Sequence, residues 1–510
     1  MRDAVERSRA LIAQARDAVL ARHGRSPSSD AQHDTHGLAW MATLAAGIEA
    51  VADWAEGRSG YDAALAASSV AEAEAQLASA IAIGPNEQFR PATLGLRSDA
   101  PEPAPRDEWM PALLDGAEAG EDGGDATYDA IRAQYRRYAN ERILPHAHRW
   151  HLTDALIPDA VVAELAAMGT FGVTVDEAFG GLGLGKIAMC IVSEELSRGW
   201  IAAGSLGTRS EIAAELIASG GSEEQKARWL PGIASGAVLP TAVFTEPDVG
   251  SDLASVRTRA RRTGDAWRID GAKTWITHAA RSDLMTLLAR TSEAPGYAGL
   301  SMFLAAKPRG TEAVAFPAPG MDGSEIPVLG YRGMREYALQ FDGFEADRDA
   351  LLGGVEGQGF KQLMRTFESA RIQTAARAVG VARRAFELAR DYATVRQQFG
   401  QPIARFGRVA DKLAVMAAET LMARELSYAA ARAKDAGRRC DVEAGMAKLY
   451  AARVAWTNAD ACVQIHGGNG FALEYEASRI LCDARVLTIF EGAAEIQAEV
   501  IARGLLREKR

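Results

Sequence analysis

Apolar residues recur with the period of an α-helix in the first and last thirds of the chain. The clearest early stripe consists of Met41, Leu44, Ile48 and Val51. This spacing predicts an amphipathic helix, and Asp34 and Thr35 ahead of it are candidate caps. After Gly359 the same period returns over residues 367–392 and 409–433, where helix formers dominate. Both ends of the chain are therefore predicted to be helical.

Between these regions the apolar period falls from 3.6 to 2 residues. Tyr337, Leu339 and Phe341 alternate with polar neighbours, and residues 284–289 and 300–305 are short apolar runs. The dipeptides Gly264-Asp265 and Asp270-Gly271 are typical of turns between strands. The fold class is therefore mainly α with a central β domain.

The changes of period and composition divide the chain into five segments. Residues 98–127 are rich in Asp, Glu, Pro and Gly and lack apolar periodicity, which is typical of a solvated linker. The predicted segments are an N-terminal helical extension at 1–97, the linker at 98–127, a helical domain at 128–238, a β domain at 239–352 and a helical bundle at 353–510.

Composition excludes several classes of function. The chain has 510 residues and a formal net charge of −10, which argues against a nucleic-acid partner. No apolar run reaches the roughly 18 residues of a membrane span, and the first residues lack a signal-peptide core, so we expect a cytoplasmic protein. The four cysteines form no C-x-x-C pair, and His146 and His148 would point apart on a helix, so no metal site is predicted.

One carboxylate stands out near the C-terminus, in the segment from Ile489 to Gln497. There Glu491 is surrounded by apolar and small residues. A carboxyl group held away from water is a stronger base, so Glu491 is a candidate general base. The alternative is a helix-start Glu that faces the first free N–H groups of its helix.

Two further segments carry polar groups suited to a heterocyclic cofactor. Residues 244–252 follow an apolar run, and residues 273–279 are expected to close a nearby hairpin. Thr245, Ser251 and Thr277 can offer hydroxyl and N–H groups, while Trp275 can stack on a ring. The alternative is a capped turn beside a core tryptophan. No glycine-rich stretch fits G-x-G-x-x-G, so a Rossmann site is not expected.

Taken together and in order, five motifs resemble those of the acyl-CoA dehydrogenase family, from about residue 128 to the end. They are T-E-P-x-x-G-S-D at Thr245–Asp252, W-I-T at Trp275–Thr277, R-x-x-F-G at Arg396–Gly400, Q-I-H-G-G-N-G at Gln464–Gly470 and E-G-x-x-E-I-Q at Glu491–Gln497. The resemblance implies a helical domain, a middle β-barrel and a C-terminal four-helix bundle, preceded here by an extra helical domain.

The same resemblance implies FAD as cofactor, held by two groups of residues. The isoalloxazine ring would face Phe244, Thr245, Gly250, Ser251, Trp275 and Thr277. The adenosine and pyrophosphate half would contact Arg396, Gln398, Phe399, Gln464, Gly467 and Gly468 across a subunit interface. A shared site of this kind implies a homodimer or a dimer-of-dimers tetramer. Ala493 stands where many members carry a Thr that contacts the flavin, so that contact is in doubt.

By the same resemblance, Glu491 is the base that removes the α-proton of an acyl-CoA thioester while a hydride passes from the β-carbon to flavin N5. Its own backbone N–H, with a ribityl hydroxyl of FAD, would stabilise the thioester oxygen. Some members place the base at the position of Ala370, which cannot act here. Arg371 would hold the thioester and CoA region, unless it forms a surface ion pair.

The extra helical domain is similar to that of a longer branch of the family, which implies oxidation of (2S)-methylsuccinyl-CoA to mesaconyl-CoA. The free carboxylate of such a substrate needs a cation in an apolar pocket, and Ser251 and Arg209 complete the expected substrate contacts. Arg209 could equally pair with Glu211 or Glu215 on a solvated helix. Electron-transfer flavoprotein is the implied acceptor. An oxidase or dehydrogenase of another short branched acyl-CoA, and a nucleic-acid-binding relative, are the alternatives.

Overall fold

The computed structural model describes residues 1–99, 106, 108–120 and 125–507. Its helices are α1 Arg2–His23, α2 Gln32–Trp54, α3 Gly60–Ala78, α4 Met110–Leu114, α5 Ala126–Tyr138, α6 Leu144–Leu152, α7 Asp159–Ala167, α8 Lys186–Gly199, α9 Ile201–Gly220, α10 Glu223–Ala234, α11 Gly359–Val395, α12 Gly407–Asp435, α13 Asp441–His466, α14 Ala477–Arg485 and α15 Ala494–Arg507. Its strands are β1 Ile81–Gly84, β2 Glu87–Phe89, β3 Pro240–Val243, β4 Arg259–Thr263, β5 Ala266–Thr277, β6 Leu284–Arg290, β7 Leu300–Ala306, β8 Met321–Ile326, β9 Glu336–Asp347, β10 Gln397–Gln398 and β11 Gln401–Pro402.

These elements form two compact units. The helical unit consists of residues 1–141, 194–199 and 371–510, and the sheet unit consists of residues 142–193 and 200–370. Both ends of the chain therefore belong to the helical unit. The linker predicted at 98–127 falls partly outside the described residues, at 100–105, 107 and 121–124, and its described part includes α4.

In the helical unit, the N-terminal extension packs with the C-terminal bundle. Met41, Leu44, Ile48 and Val51 are all fully buried in α2, which confirms the predicted stripe. The predicted caps were wrong, since α2 begins at Gln32 and the Thr35 hydroxyl donates to the Ala31 carbonyl at 3.1 Å. The prediction that this region is wholly helical was also wrong, because β1 and β2 form an antiparallel hairpin.

A buried ion-pair network joins distant segments of the helical unit. Arg132 binds Glu194 at 3.1 Å and Glu195 at 2.9 Å, and Arg383 binds the same two carboxylates. Burial disfavours the charged form of Glu195, but Arg383 and Arg136 outweigh it and lower its pKa to about 2. The Tyr428 hydroxyl donates to Glu194 at 2.7 Å. The network therefore remains ionised at neutral pH.

The core of the sheet unit is a seven-stranded sheet in the order β3-β6-β4-β5-β9-β8, with β7 paired to β6. The predicted alternation of Tyr337, Leu339 and Phe341 is confirmed, because all three lie on β9 in one apolar cluster. Strand β6 instead buries both faces: Met285 and Leu287 join that cluster, while Leu284 and Leu288 join another. Burial on both faces explains why β6 is a continuous apolar run.

Two turn predictions in this region have different outcomes. Gly264-Asp265 does join β4 to β5, as predicted. Asp270-Gly271 does not form a turn, because it lies inside β5 at a register shift opposite Asp342 and Phe341. Residues 273–277 are the end of the same strand, paired with β9, and do not close a hairpin. A β-bulge at this register shift accounts for the Asp-Gly pair, whose sequence resembles that of a turn.

Candidate active site

Glu491 lies in a tight turn immediately before α15. Its φ of 54° and the φ of 87° at Gly492 place both residues in left-handed conformations, and Glu491 is half-buried. The helix begins only at Ala494, and the acidic residue in its first turn is Glu495. The helix-start alternative therefore describes Glu495 and not Glu491. A non-glycine residue in this strained conformation marks a backbone held by its surroundings.

Two buried side chains from the helical unit hold this turn. Lys448 Nζ donates to the Gly492 carbonyl at 2.6 Å, and Gln497 Nε2 donates to the carbonyls of Glu491 and Gly492, both at 3.2 Å. Neither Lys448 nor Gln497 has any solvent exposure. A Cβ atom at Gly492 would collide with Gln497 Nε2, so only glycine fits there.

The electrostatic surroundings of Lys448 include the candidate base. Burial lowers the pKa of Lys448 to about 7, although the charges of Glu491 and Glu495 oppose that shift. Arg371 and Arg377 lower it further. Sequence reasoning missed Lys448, although a lone lysine within the apolar residues 444–452 was a usable signal.

Arg371 lies in the same neighbourhood, well inside α11. Only 7% of Arg371 is exposed, so the alternative of a surface ion pair was wrong. Ala370, directly before it, is also buried and brings no acid to this position. Nearly two turns further along α11, the guanidinium of Arg377 lies 4.9 Å from the ring centroid of Phe490, the residue before Glu491. Arg371 and Arg377 of α11 therefore place positive charge near the turn.

In the sheet unit, the Thr245 loop (residues 244–252) is anchored by a buried ion pair. Lys273 Nζ lies 3.0 Å from Glu246 Oε1 and donates to the Phe244 carbonyl at 2.8 Å. The Glu246 carboxylate also accepts the N–H groups of Arg257 and Thr258, each at 2.8 Å. Burial opposes ionisation of Glu246, but Lys273 and these donors lower its pKa.

The anchored loop presents its predicted cofactor contacts at the surface. Gly250 and Ser251 are exposed, Phe244 and Thr245 are half-buried, and the Thr274 N–H donates to the Thr245 carbonyl at 3.0 Å. Trp275 is 57% exposed and has a φ of 58°, so the alternative of a core tryptophan was wrong.

Thr277 closes strand β5 and is buried. Its hydroxyl donates to Glu336 Oε1 at 2.7 Å, so that proton is directed away from any ligand, and its carbonyl accepts the Thr241 hydroxyl at 2.6 Å. The hydroxyl oxygen of Thr277 can therefore accept a hydrogen bond from a cofactor.

The second predicted cofactor group lies on one face of the helical unit. The side chain of Phe399 is 93% exposed at the tip of the hairpin β10–β11, and its φ is 50°. The Tyr392 ring stacks on His466 at 4.2 Å, which brings the ends of α11 and α13 together. The remaining members of the group are also exposed: Arg396, Gln398, Gln464, Gly467 and Gly468.

Arg209 lies on α9, which is buried along most of its length. Only 8% of Arg209 is exposed, and Glu211 and Glu215 both bind Lys186, so the solvated helix was the wrong alternative. Burial and the charges of Arg281, Arg309 and Arg209 lower the pKa of His278 to about 3. Because His278 follows Thr277, Arg209 lies near the end of the strand that carries Trp275 and Thr277.

Each of the two groups of residues suits a part of FAD in its chemistry. An exposed indole beside hydroxyl groups suits a planar polar heterocycle, and exposed Arg and Gln side chains suit a pyrophosphate and an adenosine. No atom lies within 4 Å of the Cβ position at Gly250, Gly467 or Gly468, so a ligand can reach the backbone there. In the ranges that the structure describes, no three His, Cys, Asp or Glu side chains form a candidate metal site. None of the described helices combines the length and hydropathy that crossing a bilayer requires.

Comparison with known proteins agrees with this geometry. Residues 125–237, 241–344 and 357–506 match the N-terminal, middle and C-terminal domains of acyl-CoA dehydrogenases, respectively. The chain is 54% identical to (2S)-methylsuccinyl-CoA dehydrogenase of Cereibacter sphaeroides, over 99% of this chain and 97% of that protein.

Two solved structures share the fold of about three quarters of the chain. One is a chain in the structure of an electron-transferring flavoprotein of Acidaminococcus fermentans, with a TM-score of 0.72 and 29% identity, covering 76% of this chain and 100% of that one. The other is a glutaryl-CoA dehydrogenase of Mycobacterium smegmatis in complex with FADH2, with a TM-score of 0.69 and 28% identity, covering 75% and 95%. The chain therefore belongs to the acyl-CoA dehydrogenase family and is an FAD-dependent oxidoreductase that acts on CH–CH groups.

Proposed function

We propose that this enzyme oxidises (2S)-methylsuccinyl-CoA to mesaconyl-CoA. The observation that carries this proposal is the 54% identity to a (2S)-methylsuccinyl-CoA dehydrogenase over 99% of the chain, which includes the N-terminal extension. The two solved structures above cover only about three quarters of the chain. A likeness over the whole chain is a closer guide to the substrate than a shared fold is.

Glu491 is the proposed base, and its surroundings support that role. Its carboxylate takes the α-proton of the thioester, and the left-handed turn fixes the direction in which it points. Lys448 and Arg371 supply positive charge near the site where an enolate-like oxygen would develop, and such charge stabilises a transition state more than a ground state. FAD, when bound, supplies the acceptor for the hydride that leaves the β-carbon.

Arg371 and Arg209 are the proposed substrate cations, and Ser251 is a further proposed contact. Both arginines are largely buried, so an anion that reaches them would be attracted with little screening by solvent. Arg371, beside the Glu491 turn, would hold the thioester and CoA region. Arg209, near His278, would bind the free carboxylate, which an apolar pocket could not accommodate otherwise.

The cofactor contacts are proposed in the two groups described above. The Thr245 loop, Trp275 and Thr277 would face the isoalloxazine ring. The exposed group around Phe399 would bind the adenosine and pyrophosphate half of the FAD of a second copy, which makes the enzyme a homodimer or a dimer of dimers. Electron-transfer flavoprotein is the proposed acceptor of the reduced flavin's electrons. The exposed aromatic side chain of Phe399 supports the proposal that a second copy of the chain contacts this face of the helical unit.

The decisive test is anaerobic bleaching of the flavin absorbance by a panel of CoA thioesters. We expect (2S)-methylsuccinyl-CoA to bleach the wild-type enzyme fastest, and Glu491→Gln to slow bleaching by at least about a thousandfold, because the amide cannot accept the proton. Glu499→Gln, an exposed carboxylate on α15, is the control and should bleach normally.

Bleaching of Glu491→Gln at near the wild-type rate would show that another group is the base. A different thioester that bleaches faster would overturn the proposed substrate. After bleaching, air is admitted: rapid recolouring with release of peroxide would identify an oxidase, whereas slow recolouring supports a protein acceptor.

A further inference from the structure

We propose that Lys448 is a positioning residue for the reaction, which holds the Glu491 turn in its left-handed conformation and keeps a positive charge beside the base. The inference deepens the proposed function, since it rests on Glu491 as the base. Lys448 lies 43 residues before Glu491 and belongs to another helix, α13.

The geometry of the turn requires support. A left-handed conformation is unfavourable for a non-glycine residue, so Glu491 depends on its surroundings to keep it. The Gly492 carbonyl receives that support from two donors, Lys448 Nζ at 2.6 Å and Gln497 Nε2 at 3.2 Å. The Lys448 contact is the shorter and carries a charge, which makes it the stronger of the two.

An ammonium group is costly to place there. Lys448 is fully buried, and removing a charge from water is expensive unless opposite charges and hydrogen bonds compensate for it. The charged groups facing it are Glu491 from the turn, Glu495 from α15, and Arg371 and Arg377 from α11. A methionine of similar length could fill the space without that cost. A lysine at this position therefore points to a role in function more than in stability.

Lys448 holds its proton weakly in the folded protein. Its pKa near 7 lies below its ordinary value of 10.5, so the folded protein binds this proton less tightly than the unfolded chain does. The charge therefore destabilises the fold at pH below about 7, and this cost disappears progressively as the pH rises toward 10.5. Activity should follow the opposite trend, since Lys448 loses its charge as the pH rises through about 7.

The test compares Lys448→Met and Lys448→Arg with the control Lys412→Met, which changes an exposed lysine on α12. All variants are assayed as FAD-loaded enzymes with the thioester that bleaches the wild type fastest. We expect Lys448→Met to lower kcat by about a hundredfold with KM changed less than about threefold, because a misplaced base slows the chemical step. Its melting temperature should equal or exceed that of the wild type at pH 6. Lys412→Met should match the wild type.

The pH profile and the conservative variant exclude a merely structural role. The wild-type kcat/KM should show an alkaline limb with a midpoint near 7, and Lys448→Arg should restore much of the rate and lack that limb, because arginine keeps its charge. A structural role alone would lower the melting temperature of Lys448→Met and leave the shape of the pH profile unchanged, which would overturn the proposal.

A crystal structure of Lys448→Met separates this inference from the proposed function. We expect Glu491 to leave its left-handed conformation there. An unchanged turn, or a kcat within threefold of the wild type, would overturn the inference even if Glu491→Gln is inactive. Conversely, an active Glu491→Gln variant would show that Glu491 is not the base. The conformation of the turn in the Lys448→Met crystal would still decide whether Lys448 holds that turn.

Discussion

At the scale of single residues, Arg209 shows how burial changes the meaning of a charge. On an exposed helix it would be one of many arginines that pair with solvated glutamates. With 8% exposure, and with Glu211 and Glu215 bound to Lys186, its positive charge lies in a region of low dielectric constant close to His278. Any anion that enters that region would be bound strongly.

Replacement of Arg209 by leucine should therefore affect one class of substrate. We expect kcat/KM for (2S)-methylsuccinyl-CoA to fall by about 10 to 150-fold, the worth of a charged hydrogen bond of about 1.5–3 kcal/mol. The value for a neutral branched thioester, such as isobutyryl-CoA, should stay level or rise in the same protein. Equal losses on both thioesters would mean that Arg209 supports the fold and does not recognise the carboxylate.

At the scale of elements, the Thr245 loop depends on one charged pair for its shape. Glu246 collects two backbone N–H groups and the Lys273 ammonium, and Lys273 is fully buried. Burial lowers the pKa of Lys273 to about 8, and Glu246 opposes that shift and favours the charged lysine. The loop and strand β5 are thereby tied together beside Trp275.

Glu246→Gln should loosen this loop and leave a cation buried without its counter-charge. We expect a loss of about 3–5 kcal/mol in the free energy of unfolding and at least a tenfold weaker affinity for FAD. Part of the stability should return as the pH rises, because without Glu246 the pKa of Lys273 falls below about 8 and the lysine sheds its proton sooner. Urea unfolding measures the stability, and flavin titration of the apoprotein measures the affinity for FAD. The exposed Asp248→Asn is the control. An unaltered affinity for FAD would show that the Glu246–Lys273 pair does not support the cofactor site.

Sequence reasoning reached those features that local patterns encode. The stripe of α2 and the alternation of β9 repeat within a few residues, so periodicity reveals them. The hairpin at 81–89 was missed although Gly84-Pro85 is a turn signal. Lys448 and Gln497 could not be joined to Glu491 in the same way, because their contacts connect separate elements and depend on how the helices pack. The register shift at Asp270 likewise depends on the pairing of β5 with β9.

At the scale of the whole molecule, the N-terminal extension is part of the helical unit and contributes to its core. The Ser69 hydroxyl donates to the Ala418 carbonyl at 2.8 Å, and a Cβ atom at Gly47 would lie 2.6 Å from Met422 Sδ. Helices α2 and α3 therefore contact α12 directly, and a side chain added at Gly47 would have to displace that of Met422.

Gly47→Val should push α2 away from α12. We expect a loss of about 1–3 kcal/mol in the free energy of unfolding, typical of an overpacked core, with a single unfolding transition for the helical unit. Gln32→Ala, an exposed change on the same helix, is the control. A Gly47→Val protein with wild-type stability, or one whose extension melts separately in calorimetry, would show that the extension is an independent module.

The division of the helical unit between both ends of the chain also affects the protein during its synthesis. Residues 1–141 leave the ribosome before the rest of their unit, and apart from residues 194–199 their partners begin at Arg371, after the whole sheet unit. At translation rates of about 5–20 residues per second, that gap lasts on the order of tens of seconds. During this interval the apolar face of α2 lacks its partner helices α12 and α15. A nascent chain of this kind is a natural client for a chaperone, and shortening the delay should raise the yield of folded enzyme.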